Sequence, residues 1–202
     1  MRAPFVHPWF TPSSPPVILS VGRLAKQKDF PTLLRAFARV RATRRARLMI
    51  LGEGRKRKHL ECLIKTLGIA DDVALPGFVL NPFPYMARAA VFVLSSAWEG
   101  LPGALVEAMA CGCPVVSTNC PSGPAEILDE GTYGPLVPVG DETALARAIL
   151  TVLGSSITTE KLRARAFQFS IDRVADRYLE ILFGVQDNTS AYRPNIPLTA
   201  RI

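Results

Sequence analysis

Residues 17–40 read VILSVGRLAKQKDFPTLLRAFARV, and their reading decides the fold. Val17–Val21 is a run of buried type, bounded by Pro16 and Gly22, which predicts a strand covered on both faces. Asp29 then stands where a helix N-cap belongs, Pro31 fits the first turn, and apolar residues recur at helical spacing to about Arg41. Strand, loop and helix in that order form the opening unit of an α/β domain.

The unit repeats along the chain. Arg47–Leu51 reads as a second strand, followed by a helix over 55–67 that Gly68 closes. A third strand over 73–75, a short helix over 82–89 and a fourth strand at Val91–Leu94 come next. A helix over 101–110 stopped by Gly112, a strand over 114–117, a short helix over 125–128, a strand over 135–137 and an Asp141-capped helix to Leu153 complete the alternation. The expected architecture is an α/β, Rossmann-like, doubly wound parallel sheet. Two more helices follow, Thr159–Phe167 and 170–183; the second carries the apolar stripe Ile171, Val174, Ala175, Tyr178, Ile181, Leu182. The domain is placed at 17–183, with 1–16 as a linker remnant and 184–202 as a polar, flexible tail whose Asn188-Thr189-Ser190 sequon is incidental.

Composition bounds the rest. The 202 residues are 49% hydrophobic and 20% charged, ample for a core without disulfides or structural metal, which excludes a disordered or collagen-like chain. Its net charge of +7 is concentrated at Arg41, Arg44, Arg45, Arg47, Arg55, Lys56, Arg57 and Lys58, expected as a solvated face around the end of one helix and the start of the next. No aromatic residues interleave with these cations, so nucleic acid is not an expected partner. Cys62, Cys111, Cys113 and Cys120 form no C-x-x-C pair and read as reduced, mostly buried thiols of a cytoplasmic protein. No apolar run reaches membrane-spanning length.

In a doubly wound sheet the ligand lies beyond the carboxyl ends of the strands, at the switch point between the first and fourth. The loop after the first strand carries Gly22, Arg23 and Lys28, two cations at a strand end, with neither G-x-G-x-x-G nor a P-loop. Gly52-Glu53-Gly54 follows the second strand and lacks a third glycine, so it is not read as a dinucleotide loop. The loop after the fourth strand reads SSAWEGLPGALVE from Ser95 to Glu107. With Pro102 at the first helical position, the amides of Gly103, Ala104 and Leu105 and the helix dipole favour an anion. Glu107 lies one turn on and leans back over that anion, where a hydroxyl donor fits and a second anion does not. Glu99 faces the anion from the far side. The pattern suits a nucleotide ribose joined to a diphosphate.

The segment SSAWEGLPGALVEAMACGCPVVSTNCPSGPAEIL, with VGRLAKQKDFPTLLRAF and VALPGFV upstream, resembles the signature of the group 1 (family 4) retaining glycosyltransferases, over about 17–183. The resemblance implies the C-terminal, donor-binding half of a two-domain GT-B enzyme. It implies that Arg23 and Lys28 bind the donor diphosphate and that Glu107 holds the ribose hydroxyls. Glu99 would contact the transferred sugar, and Glu99, Arg23 and Lys28 are the catalytic candidates. Backbone at Gly22 and at Gly100, Leu101, Pro102, Gly103, Ala104 and Leu105 would touch the donor, and Phe78 and Val79 would lie near the base. The donor is a nucleoside-diphosphate sugar and the acceptor a carbohydrate or lipid-linked chain, with peripheral contact at the inner face of the membrane. No cofactor is expected, and without a D-x-D motif the reaction is expected to need no metal. Two departures stand out. Only 16 residues precede the first strand, so the N-terminal acceptor domain is expected on another chain or on a missing segment. Ser122-Gly123-Pro124 replaces a paired glycine, with Glu126 read as a capping or packing residue. The competing expectations are a nucleotide-sugar-binding module without turnover and a non-hydrolysing sugar-nucleotide epimerase.

Overall fold

The computed structural model describes residues 7–155 and 158–183. Six parallel strands form one sheet: β1 (Val17–Val21), β2 (Arg47–Leu51), β3 (Val73–Gly77), β4 (Val91–Leu94), β5 (Val115–Thr118) and β6 (Leu136–Val137). Their order is β3-β2-β1-β4-β5-β6, which puts the switch point between β1 and β4 as the sequence predicts. Val17 to Val21 pair in register with Arg47 to Leu51, and Ile18 and Leu19 with Val91 and Phe92.

Alternation along the strands divides the core in two. Ile18, Leu48, Ile50, Val91 and Val93 point to one face, where they meet α1 (Phe30–Thr43), α2 (Arg57–Thr66) and α6 (Glu142–Leu153). Leu19, Met49, Leu51, Phe92 and Leu94 point to the other, against α3 (Phe83–Met86), α4 (Gly103–Ala110), α5 (Pro124–Leu128) and α7 (Thr159–Phe167). Each fully buried side chain of this kind contributes about 1.5–3 kcal/mol relative to exposure, so both layers are held firmly to the sheet. Gly112, at φ 78°, ends α4 where a Cβ would collide with Thr159 of α7.

Several expectations are corrected. Asp29 holds the N-cap position of α1 but is left-handed (φ 42°) and caps no backbone amide; its carboxylate accepts from the Thr32 hydroxyl at 2.7 Å instead. Asp141 does cap α6, accepting from the amides of Thr143 and Ala144 at 3.0 and 2.8 Å. The basic cluster is not one face. β2 separates Arg41, Arg44 and Arg45, at the amino edge of the sheet, from Arg55–Lys58 at the carboxyl edge, about 16 Å away by the strand rise. Partners quench much of it: Arg41 pairs with Asp72, Arg44 donates to the Leu153 carbonyl, and Arg57 bridges Glu53 and Glu61. Cys62 is exposed, whereas Cys113 is buried and burial pushes its thiol up to about 12. α8 (Ile171–Phe183) forms as the stripe predicts, yet buries none of its residues. Of the segment before β1, residues 7–16 pack under the amino edge through Trp9 and Phe10. The 184–202 tail, with its sequon, lies outside the described residues.

Candidate functional site

The loops that leave β1 and β4 are joined into one unit at the switch point. The Ala97 amide donates to the Gln27 carbonyl at 2.8 Å, and the Ser95 hydroxyl donates to the Lys28 carbonyl at 2.7 Å. A single 3-10 turn at Lys26–Lys28 makes this possible by aiming Gln27 and Lys28 across the sheet. Gly22 helps, because the Lys28 stem lies where a Cβ would be, 3.0 Å from its Cε.

Glu99 is the centre of the unit. Its Oε1 accepts from the Lys28 ammonium at 2.6 Å and from the Ser96 hydroxyl at 2.5 Å, and its Oε2 accepts from the Gln27 amide at 3.3 Å. The carboxylate is 6% exposed and Lys28 is 17% exposed, so this is a largely desolvated, charge-assisted contact. The two residues, assigned to diphosphate and sugar on sequence grounds, are therefore bonded to each other. Arg23 is exposed, and no carboxylate among the described residues pairs with it.

α4 begins at Gly103, two residues later than the expected 101, because Pro102 has a non-helical ψ of 84° and serves as N-cap rather than as the first helical residue. Two of the three amides expected to be free turn inward: Gly103 donates to Leu101 and Leu105 to Pro102, both at 2.9 Å. The Ala104 amide is left without a backbone acceptor among the described residues. Gly100 and Gly103 both border open space, so the approach to this turn is unobstructed. Pro102 and Leu105 are buried, and Leu101 is exposed at the rim. The Ser122-Gly123-Pro124 turn requires the glycine it keeps: at φ 89° Gly123 lies so close to the Gly100 carbonyl and Pro102 that a Cβ would collide with both. Glu126 gives α5 no side-chain cap, contrary to one of its expected roles.

Glu107 lies one turn into α4, half-buried. No donor among the described residues reaches its carboxylate, and burial pushes its pKa above the ordinary carboxylate range. Phe78 and Val79 follow β3, the edge strand, with β2 between them and the β1 loop; Phe78 is exposed. Gly52 and Gly54 serve packing, since a Cβ at either would strike the backbone of Gly22 or Leu24. The sequence assigns no role to Gln27 or Ser96. The signal available was Ser95-Ser96, two small polar residues at the end of a buried strand. Among the described residues no group of three or more His, Cys, Asp or Glu could hold a metal ion, and no helix is long and apolar enough to cross a membrane.

Comparison with known proteins identifies the family. Residues 15–155 match the family described as glycosyl transferases group 1, and the chain belongs to that family. It is 39% identical over 169 residues to the N-acetylgalactosamine-N,N'-diacetylbacillosaminyl-diphospho-undecaprenol 4-alpha-N-acetylgalactosaminyltransferase of Campylobacter jejuni, covering 80% of this chain and 46% of that protein. Among solved structures it is similar to the lipopolysaccharide outer core galactosyltransferase WaaB, with TM-score 0.78 and 26% identity over 86% of this chain and 50% of that one. Anabaena HepE in complex with UDP shares the fold, with TM-score 0.74 and 24% identity over 85% and 49% of the two chains. The chain thus spans about half the length of the curated relatives it matches.

Proposed function

We propose that this chain is the C-terminal, donor-binding half of a retaining GT-B glycosyltransferase of family 4, taking a nucleoside-diphosphate sugar. The observation that carries the reading is what the neighbouring β1 and β4 ends present: a cation without a carboxylate partner among the described residues (Arg23), a second cation held at 2.6 Å from a buried glutamate (Lys28 and Glu99), and, one turn into α4, a half-buried carboxylate without a donor among the described residues (Glu107). Cleaving a sugar–diphosphate bond builds negative charge on the leaving phosphate, and fixed cations and amides stabilise that charge most when they need not reorganise. Arg23, Lys28 and the Ala104 amide take that role. Glu107 accepts from the ribose hydroxyls, Glu99 from the transferred sugar, and Phe78 and Val79 flank the base. Uridine diphosphate is the first nucleotide to test, since the HepE relative binds it.

The acceptor belongs to the lipid-linked or polysaccharide class, as the diphospho-undecaprenol of the Campylobacter relative's name suggests. Transfer requires the acceptor to be positioned and water excluded, which a second domain closing over this edge supplies. The test is calorimetry of the purified chain with UDP, with and without a chelator. Binding that survives chelation supports the reading; no binding of UDP or any other nucleoside diphosphate overturns it.

A further inference from the structure

We infer that Ser96 and Gln27 are positioning residues that fix the carboxylate of Glu99 for the transferred sugar, an assignment that rests on the donor-site reading above. A carboxylate has about four lone-pair sites, and three donors meet this one: Lys28 and Ser96 on Oε1, Gln27 on Oε2. Only one of the three is charged. The Lys28 ammonium has three donors and can meet a phosphate without releasing Glu99, while the two neutral donors hold the carboxylate in place, with one lone pair of Oε2 left for a sugar hydroxyl.

Both donors are themselves anchored. The Ser96 carbonyl accepts from the Thr118 hydroxyl at 2.6 Å, which ties this residue to β5, and the Gln27 amide also donates to the Trp98 carbonyl at 3.0 Å. The other buried serines of the sheet behave differently. Ser20 and Ser95 each donate to a main-chain carbonyl at 2.7 Å and Ser117 to one at 2.9 Å, the ordinary way for a buried hydroxyl to be satisfied. Ser96, fully buried, spends its hydroxyl on a carboxylate instead.

The experiment compares Ser96→Ala, Gln27→Ala, Glu99→Gln and the double variant Ser96→Ala/Glu99→Gln with the wild-type chain. Each is titrated with UDP and with whichever of UDP-N-acetylgalactosamine, UDP-N-acetylglucosamine, UDP-galactose and UDP-glucose the wild type binds most tightly. UDP affinity stays within about twofold, which also certifies the fold, while the sugar nucleotide binds about five- to tenfold more weakly to either single variant. The double variant loses no more than Glu99→Gln alone, because the serine acts only through the glutamate. Equal losses for both ligands, or additive losses in the double variant, overturn the assignment. Crystal structures of the two alanine variants separate it from the donor-site reading. If the wild type binds none of the UDP probes, the titrations use the nucleoside diphosphate it does bind; if it binds none, that reading fails, and the position of Glu99 decides the positioning role alone: a displaced carboxylate sustains it and an unmoved one overturns it.

Discussion

The two glutamates of the α4 region are eight residues apart and are treated in opposite ways by the fold. Glu99, on the loop before the helix, is nearly buried yet meets three donors from two loops. Glu107, one turn inside the helix, is desolvated and meets none among the described residues. A desolvated carboxylate without a donor costs stability, so on the proposed function the second awaits a partner from outside, while the first is already oriented by the protein. Pre-organisation and vacant bonding capacity thus sit side by side at one switch point.

The largest expected effect breaks the first half of that contrast. Lys28→Ala leaves a buried carboxylate with only neutral donors and should lower stability in urea by about 2–3 kcal/mol, with much of the loss restored by adding Glu99→Gln. A loss below about 0.5 kcal/mol would mean that the pair orders nothing. Arg23→Ala, at an exposed position, should leave stability within about 0.5 kcal/mol but weaken UDP about ten- to hundredfold. Unchanged UDP affinity would remove Arg23 from the site.

The smallest effect sharpens the second half. Because burial raises the Glu107 pKa, the folded chain binds that proton more tightly than the unfolded chain does. The stability this provides is complete below the ordinary carboxylate value and is lost as pH rises through the raised one. Glu107→Gln should therefore raise the thermal midpoint slightly near pH 7, and the gain should fade toward about pH 4. A lowered midpoint near pH 7 would reveal a donor that the carboxylate already uses.

Much of the fold was legible because its strands are buried. β1, β2 and β4 match their expected bounds residue for residue, since each is a run of apolar residues buried almost throughout. β3 runs two residues further than expected, because an edge strand with half-exposed residues and a proline carries a weak pattern. The charge cluster misled because closeness in sequence says nothing about which end of a strand a residue occupies. Arg23, Lys28, Glu99 and Glu107 were legible as candidates from the switch-point rule and helix geometry. The Lys28–Glu99 bond was not, because it joins positions 71 apart through a 3-10 turn with no sequence signature. Ser96 and Gln27 were missed for the same reason: their roles exist only once the two loops are joined.

The central claim is that Glu107 serves the nucleotide and Glu99 the sugar, and parallel calorimetric titrations test it most directly. UDP and a UDP-sugar that the wild type binds are each titrated into Glu107→Gln and Glu99→Gln, with folding verified beforehand. The account predicts that Glu107→Gln weakens both ligands by the same factor, while Glu99→Gln leaves UDP nearly untouched and weakens the sugar nucleotide alone. Equal losses for both ligands in both variants would contradict it.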